Sequence, residues 1–255
     1  MADDPAPDWS RIKDFALQTL APLLGVFTSE LLALGPVAAV LESRRQQRLG
    51  ELNPIPFPLL LGNCVGWVVY SAATRNAYIF ASNVGGVLLA VYYLLSACSL
   101  TMSARMRTTI EALTVTMLFI WCVLGFVAAM LDDKQLAILI IGVVANVIVF
   151  LLFASPLTTF GKVISSKDSS SINRPFAACQ IFNCALWLAY GIATQNVYVT
   201  LPNFAGLLLG IIQVLLIVIF PALPAEKSRF VEALNPTEEG AGYYGRLEDP
   251  AVRRG

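Results

Sequence analysis

The stretch Asn63-Cys-Val-Gly-Trp67-Val-Val-Tyr70 decides the fold, because a closely related stretch, Asn183-Cys-Ala-Leu-Trp187-Leu-Ala-Tyr190, follows it 120 positions later. The same shift aligns 63–90 with 183–210 without gaps and preserves Asn63, Cys64, Trp67, Tyr70, Ala73, Thr74, Asn76, Tyr78, Asn83, Gly86, Leu88 and Leu89. It also carries Pro36 onto Pro156. Shared hydrophobicity does not explain matched Trp and Asn residues, so the chain contains an internal repeat of several elements.

The composition indicates a membrane protein. The chain is 57% hydrophobic and 13% charged, with a mean hydropathy of +0.70, which is well above ordinary soluble domains. A formal net charge of zero argues against nucleic acid as a partner. The lack of histidine excludes His-based catalysis and His metal ligands. Five cysteines without a CxxC spacing predict neither a disulfide framework nor a zinc site. We therefore expect no cofactor and no metal.

Seven apolar stretches approach or exceed the ~20 residues that a bilayer-crossing helix needs. They lie at roughly 17–41, 56–74, 77–101, 109–130, 135–157, 175–194 and 197–221. Lys and Arg concentrate in alternate loops, so the positive-inside rule predicts an N-terminus outside and a C-terminus in the cytosol. The acidic start of the chain, with Asp3 and Asp4, does not predict a cleavable signal peptide.

The repeat and the span count together predict the topology. Spans 1 to 3 match spans 5 to 7, and a three-helix unit repeated directly would be inverted in the membrane. Span 4 has no counterpart and restores the direction, which predicts an all-α membrane protein with two parallel three-helix bundles joined by a linker helix (3+1+3). The predicted segments are an external N-terminus at 1–16, a first repeat at 17–101, the linker at 102–134, a second repeat at 135–221 and a mostly disordered cytosolic tail at 222–255.

One face of span 2 carries a stripe formed by Pro56, Asn63, Trp67 and Tyr70. At ~100° per residue these positions share one helical face, and at ~1.5 Å per residue the stripe rises ~21 Å. Span 6 repeats the pattern with Asn183, Trp187 and Tyr190, although Pro175 stands eight residues before Asn183 instead of seven. The stripe is therefore expected to run from the cytosolic mouth of each half to the outer mouth.

Four asparagines inside the spans are matched by the repeat, namely Asn63, Asn83, Asn183 and Asn203. A carboxamide facing lipid is costly, so we expect the four to converge on a wet or ligand-filled interior. Carboxamides match the hydroxyls of a neutral ligand, and Trp67 and Trp187 match its C–H faces, which describes a sugar. A single Asn of this kind often bonds a neighbouring helix, and a single Trp often lies at the membrane interface. Their duplication at one depth favours a binding site.

Two further sets are candidates for gating. Pro36 and Pro156 soften their helices near the cytosolic ends, and with Pro56 and Pro175 they form a four-proline set on the inner side. A hinge and gate, or ordinary helix-end prolines, are equally compatible with that set. At the other end of the stripe, Tyr70 and Tyr190 either close the outer mouth or anchor the helices at the interface.

Glu30 places an ionisable group inside span 1, where the repeat partner is Phe150. Intramembrane carboxylates are commonly functional. Two roles stay open for Glu30: proton coupling or cation contact, and a neutral hydrogen-bonded side chain without a role in transport.

These residues resemble the SWEET (MtN3/saliva) family of sugar uniporters over about 22–221. The resemblance rests on Gly35-Pro36 and Ser155-Pro156, on Pro56-Phe57 and Pro175-Phe176, on the two Asn-Cys-x-x-Trp pairs, and on Ser82-Asn83-Val-Gly-Gly86 with Pro202-Asn203-Phe-Ala-Gly206. It implies facilitated diffusion of mono- or small disaccharides by alternating access, without enzymatic activity. The bulk of the paired Trp and Asn side chains favours hexose. The plasma membrane is favoured over vacuolar or other internal membranes, and a homo-oligomer is compatible with this plan.

The resemblance also implies roles for single residues. Asn83 and Asn203 would bind sugar, Trp67 and Trp187 would flank it, and Asn63 and Asn183 would line the same cavity. The prolines Pro36, Pro56, Pro156 and Pro175 would serve the inner gate. Tyr70 would belong to the outer gate.

Three other classes remain as alternatives. A proton-coupled exporter of the PQ-loop type has the same helix plan, but Val37 and Leu157 stand where the marker Pro-Gln would place Gln. A seven-span receptor does not need a duplicated architecture. A membrane enzyme would need clustered titratable groups, and only Glu30 and the membrane-edge Glu111 are carboxylates within the spans.

Overall fold

A computed structural model describes residues 8–50 and 52–222, and within them the chain forms seven helical spans long and apolar enough to cross a membrane. Numbered in chain order, spans 1 to 7 are Trp9–Gln46, Pro56–Thr74, Ala77–Cys98, Ala104–Met130, Lys134–Ser166, Arg174–Ala193 and Val197–Ile219. No β-strand occurs among these residues. The predicted number of spans is confirmed. The predicted tail, 222–255, lies outside the described residues except for its first position.

Spans 1, 4 and 5 are longer than the hydrophobic stretches that predicted them. Span 1 starts at Trp9, where the Asp8 carboxylate accepts a hydrogen bond from the Arg11 N–H at the helix start. Span 5 continues to Ser166, well beyond the predicted end near 157. Hydropathy detects only the part of a helix inside the lipid, whereas the backbone remains helical into the polar ends.

Spans 1 and 5 are each interrupted close to their repeat-matched proline. In span 1 the first helical part ends at Ala33 and the next begins at Val37, with a turn over Leu34–Pro36 between them. In span 5 the break falls at Phe153, between Leu152 and Ala154. A proline removes a backbone donor and crowds the preceding turn, which accounts for interruptions at these places. Each half therefore has a short inner segment that is separate from its long helix.

The packing of the spans follows the repeat. Span 3 packs against spans 1 and 2, and span 7 packs in the same way against spans 5 and 6. The two bundles meet where span 1 contacts span 6 and where span 2 contacts span 5. The 120-residue shift exchanges these two contacts, so the halves are related by an approximate two-fold axis. Parallel three-helix bundles are the arrangement predicted from the repeat.

Span 4 lies outside the two bundles, against spans 2 and 5. Its buried residues Met117 and Trp121 face Gly62 and Gly66 of span 2, at positions where an added Cβ would overlap their side chains. Small residues at such a crossing let two membrane helices approach closely. Span 4 therefore holds the two halves together on one side, as expected of a linker helix.

Candidate functional site

A cavity of about 510 Å³ lies between the two bundles. It is lined by all six residues that the sequence predicted as substrate-binding, namely Asn63, Asn83, Asn183, Asn203, Trp67 and Trp187. Residues of both halves contribute, and the pairs related by the repeat face each other across it. The structure thus brings together the polar and aromatic stripe of each half.

Asn83 and Asn203 are held alike. Their Nδ2 atoms donate to the backbone carbonyls one turn earlier, Ile79 at 2.9 Å and Val199 at 2.8 Å. This bond fixes the rotamer of each carboxamide. Neither Oδ1 accepts a hydrogen bond from any residue in the described ranges, so both oxygens are available to a ligand in the cavity.

Asn63 and Asn183 are held differently, although the repeat makes them equivalent. The Oδ1 of Asn63 accepts a hydrogen bond from the Trp67 indole at 3.2 Å, which leaves its amide hydrogens available. The Nδ2 of Asn183 instead donates towards three acceptors on span 1: the Gly25 carbonyl, Thr28 Oγ1 and Ser29 Oγ at 3.1, 2.8 and 2.9 Å. Asn183 therefore offers the cavity an acceptor, and Asn63 offers it donors.

The outer end of the cavity is closed by aromatic side chains that connect the two halves. Tyr70 donates from its hydroxyl to Asn196 Oδ1 at 2.9 Å, and Asn76 Nδ2 donates to the Tyr190 hydroxyl at 2.7 Å. The repeat relates the two Tyr–Asn pairs, although the hydroxyl donates in the first and accepts in the second. Tyr70 is 1% exposed and Tyr190 is 6% exposed. We refer to these two bonds as the outer lock.

Asn76 and Asn196 also cap the helices of spans 3 and 7, where each Oδ1 accepts backbone N–H groups of the first turn. Both asparagines are matched by the repeat, but neither was predicted as a site residue. Their partners lie in the opposite half, more than a hundred positions away, and local patterning does not reveal such a pairing.

The inner end of the cavity is lined by Pro36 and Pro156. Pro56 and Pro175 do not line it and occupy the first turns of spans 2 and 6. The structure therefore places two of the four predicted prolines at the cavity and two at helix starts. The cavity is thus closed at the Tyr70–Tyr190 end, and its lining extends to the level of Pro36 and Pro156 at the other end.

Several lining residues were not identified from the sequence. They include Ser29, Phe153, Phe176 and Gln180. The ring of Phe176 packs against Gly35 across the boundary between the halves, at a position where an added Cβ would lie 2.9 Å from the ring. Ser29, Phe153 and Gln180 lack a like partner under the 120-residue shift, and Phe176 was noted only beside Pro175, so the repeat did not predict them as lining residues. The helical spacing did carry a signal, since Gln180 stands one turn before Asn183.

Glu30 does not line the cavity. Its carboxylate lies against Gly85 of span 3, where a Cβ would overlap it, and the side chain is half-buried between spans 1 and 3. Glu30 forms no salt bridge with a cationic side chain in the described ranges. No cluster of three or more metal-ligating side chains occurs in the same ranges.

Comparison with known proteins gives a consistent result. The sequence model of the family described as "Sugar efflux transporter for intercellular exchange" matches residues 139–225, which cover most of the second repeat. The chain is similar to "Sugar transporter SWEET1" of Drosophila pseudoobscura pseudoobscura, with 28% identity over 69% of this chain and 78% of the relative. It is 25% identical to "Sugar transporter SWEET1" of Dictyostelium discoideum, over 82% of this chain and 96% of that protein.

The same comparison extends to a plant protein and to a solved structure. "Bidirectional sugar transporter SWEET4" of Oryza sativa subsp. japonica is 21% identical over 80% of each chain. A solved structure of a eukaryotic SWEET transporter superposes with a TM-score of 0.75 at 22% identity, covering 84% of this chain and 99% of that one. At that identity the superposition establishes the shared fold.

Proposed function

Because the resemblance of this chain to the SWEET (MtN3/saliva) family is confirmed, we propose that it is a facilitative sugar transporter that moves mono- or small disaccharides, hexose in particular, across a membrane by alternating access. The protein acts on its solute by transport and not by catalysis. Its partners are a neutral sugar and the lipid bilayer.

The observation that carries this proposal is a single cavity between two equivalent bundles, lined by two copies of the Asn and Trp set. The free Oδ1 atoms of Asn83 and Asn203 and the free amide of Asn63 are suited to sugar hydroxyls. The two indoles are suited to the C–H faces of a pyranose ring. Among the described residues, none that lines the cavity is charged, which favours a neutral solute over an amino acid or an ion.

The expected affinity of such a site for sugar agrees with transport. A net contribution of about 0.5–1.5 kcal/mol per hydrogen bond means that four bonds give about 2–6 kcal/mol. Millimolar affinity corresponds to about 4 kcal/mol. A uniporter needs a site of this moderate strength, because the sugar must be released on the far side without an energy source.

In this mechanism the bundles rock about the cavity and expose it to one side at a time. The outer lock holds the inward-facing state, and its two hydrogen bonds must break before the outer mouth opens. The interruptions near Pro36 and Pro156 let the inner segments of spans 1 and 5 move relative to their long helices. Pro56 and Pro175 set the starts of the helices that face those segments.

The distribution of charge supports an orientation with the N-terminus outside and the C-terminus in the cytosol, because the loops on the inner side carry most Lys and Arg residues. We place the protein in the plasma membrane in preference to an internal membrane. The five predicted segments, including the linker at 102–134, form part of this proposal.

One observation favours a second candidate, a proton-coupled exporter of the PQ-loop type. Glu30 is a carboxylate inside the membrane without a cationic partner among the described residues. Because Glu30 lies away from the cavity lining, uniport remains the better supported function.

The function is tested by counterflow in proteoliposomes that contain the purified protein. Radiolabelled hexoses, sucrose and amino acids are offered separately to vesicles preloaded with the same unlabelled solute. We expect accumulation of hexose without any ion gradient and none of amino acids. Accumulation of amino acids alone, or of no solute in the panel, would contradict the proposal.

A further inference from the structure

The cavity is less symmetric than the fold that encloses it. Most lining residues pair with like residues through the 120-residue shift, as Trp67 does with Trp187. Four pairs break this rule: Ser29 with Val149, Ala33 with Phe153, Gln180 with Leu60, and Ser82 with Pro202. The unmatched residues therefore distinguish one side of the cavity from the other.

Three of the four exceptions lie on the two walls where the halves meet, and the fourth, Ser82 with Pro202, lies on spans 3 and 7. Span 1 contacts span 6, and span 2 contacts span 5, so Ser29, Ala33 and Gln180 lie on one wall while Leu60, Val149 and Phe153 lie on the opposite wall. At these three unmatched positions, the wall of spans 1 and 6 carries the small or polar residue of each pair. The wall of spans 2 and 5 carries the bulkier apolar residue.

The hydrogen bonds extend this difference. Ser29 Oγ accepts from Asn183 Nδ2 at 2.9 Å and from the Trp187 indole at 3.1 Å. A hydroxyl has two acceptor lone pairs and one donor hydrogen, so the hydrogen of Ser29 remains to donate into the cavity. Val149, at the equivalent place, makes no such bonds, and Trp67 uses Asn63 of its own helix instead.

Gln180 adds a second polar group to the same wall. It precedes Asn183 by three residues, so it shares a helical face with Asn183 and lies about 4.5 Å nearer the cytosolic end of span 6. Its carboxamide forms no hydrogen bond with another residue in the described part of the chain, although it lines the cavity. A carboxamide in a membrane interior without a protein partner is suited to a polar ligand.

We propose that the cavity binds its sugar in one orientation, with the hydroxyl-bearing edge held by Ser29, Asn183 and Gln180 and the C–H face against Phe153 and Val149, and that Gln180 is a specificity-determining residue. This inference rests on the proposed function. The substrate class it defines is a pyranose with one polar edge and one apolar face.

The test uses purified protein in proteoliposomes and a set of hexoses that each lack one hydroxyl. Each deoxyhexose competes with radiolabelled hexose in counterflow. Removal of the hydroxyl that contacts Gln180 weakens competition roughly two- to twelve-fold in the unaltered protein, the range expected for one hydrogen bond. In Gln180→Leu the parent hexose is weakened by the same factor, and that one deoxyhexose competes as well as the parent.

The repeat supplies a matched second variant. Gln180→Leu combined with Leu60→Gln moves the carboxamide to the equivalent place on the opposite wall. A sugar bound in one orientation does not regain the lost discrimination in this double variant. Regained discrimination would show that the sugar binds in both orientations, and it would overturn the proposal.

Two further outcomes are decisive. If Gln180→Leu discriminates the whole set as the unaltered protein does, Gln180 does not determine specificity and the proposal is overturned. If the unaltered protein gives no hexose counterflow, the proposed function is overturned and this inference with it. Thermal unfolding of each purified variant identifies any loss of transport that comes from misfolding.

Discussion

At the scale of single residues, the site depends on how each carboxamide is held. Asn83 and Asn203 each donate an amide hydrogen to a carbonyl of their own helix, Asn83 also donates to Ser82 Oγ at 2.9 Å, and both present a free Oδ1. The Asn183 amide donates to span 1, and the Asn63 Oδ1 accepts a hydrogen bond from Trp67. Four residues of one type thus provide two kinds of contact, because the surrounding residues select which end of the carboxamide faces the cavity.

Replacing Asn83 or Asn203 with alanine is expected to abolish hexose uptake at low sugar concentration without unfolding the protein. Each change removes up to two hydrogen bonds to the sugar, and a loss of about 1–3 kcal/mol lowers the affinity roughly five- to 150-fold. Uptake in proteoliposomes and thermal unfolding in detergent measure the two effects. The matched control is Asn53→Ala, an exposed loop position outside the cavity. Undiminished uptake by either cavity variant would remove that residue from the site.

Glu30 allows the two transport mechanisms to be separated. If Glu30 exchanges a proton during transport, an imposed pH gradient accelerates hexose uptake into liposomes, and Glu30→Gln cancels the acceleration because its amide does not titrate. For the uniport that we propose, the expected result is equal uptake with and without the gradient, in both proteins. An acceleration that depends on Glu30 would replace uniport with proton coupling.

At the scale of helices, close packing against glycine determines where span 4 lies. A Cβ at Gly66 would overlap the Trp121 indole, whereas a Cβ at Gly125 on span 4 would meet nothing within 4 Å. The contact between spans 2 and 4 therefore requires glycine at position 66 but not at position 125. A Gly→Ala substitution at position 125 can serve as the control for the same substitution at position 66.

We expect Gly66→Ala to destabilise the protein by about 1–3 kcal/mol, the usual cost of overpacking. That corresponds to a fall in Tm of roughly 2–12 °C for a chain of this size. Gly125→Ala should leave Tm unchanged or raise it slightly, because alanine favours helix more than glycine does. Thermal unfolding in detergent compares the two. Equal Tm values for both variants would show that the contact of spans 2 and 4 does not limit stability.

The helices also show what the sequence predicts and what it does not. The Asn63–Trp67–Tyr70 spacing predicted one functional face, because helical periodicity is local. The hydrogen bonds from Ser29 to span 6 and the outer lock were not predicted, because they join residues of different halves. Pro56 and Pro175 were predicted together with the cavity prolines, yet they lie in the first turns of spans 2 and 6. Their distance from the cavity follows from tertiary packing that no local pattern encodes.

At the scale of the whole molecule, the internal duplication determines both the fold and the way the two bundles can move relative to each other. Two like-oriented bundles enclose a cavity on their shared axis, and two equivalent hydrogen bonds close it at one end. Because each bond joins a Tyr of one half to an Asn of the other, removing one bond leaves the other in place. We therefore propose that the two bonds together set the balance between inward- and outward-facing states.

Removing both hydroxyls of the outer lock, with Tyr70→Phe and Tyr190→Phe together, is expected to shift the molecule towards the outward-facing state. The rings and their packing remain, but two hydrogen bonds worth about 1–3 kcal/mol are lost, which changes the equilibrium roughly five- to 150-fold.

The measurement uses a reporter cysteine at Ile79, a buried residue that lines the cavity. The native cysteines of this chain are changed to alanine, and its sugar uptake is verified. An impermeant maleimide added from outside should label the double variant faster than its parent. Tyr78→Phe is the control, since the Tyr78 hydroxyl bonds to no residue in the described ranges and its ring only packs against Tyr190. Equal labelling rates in the double variant and its parent would show that the lock does not hold the outer mouth closed.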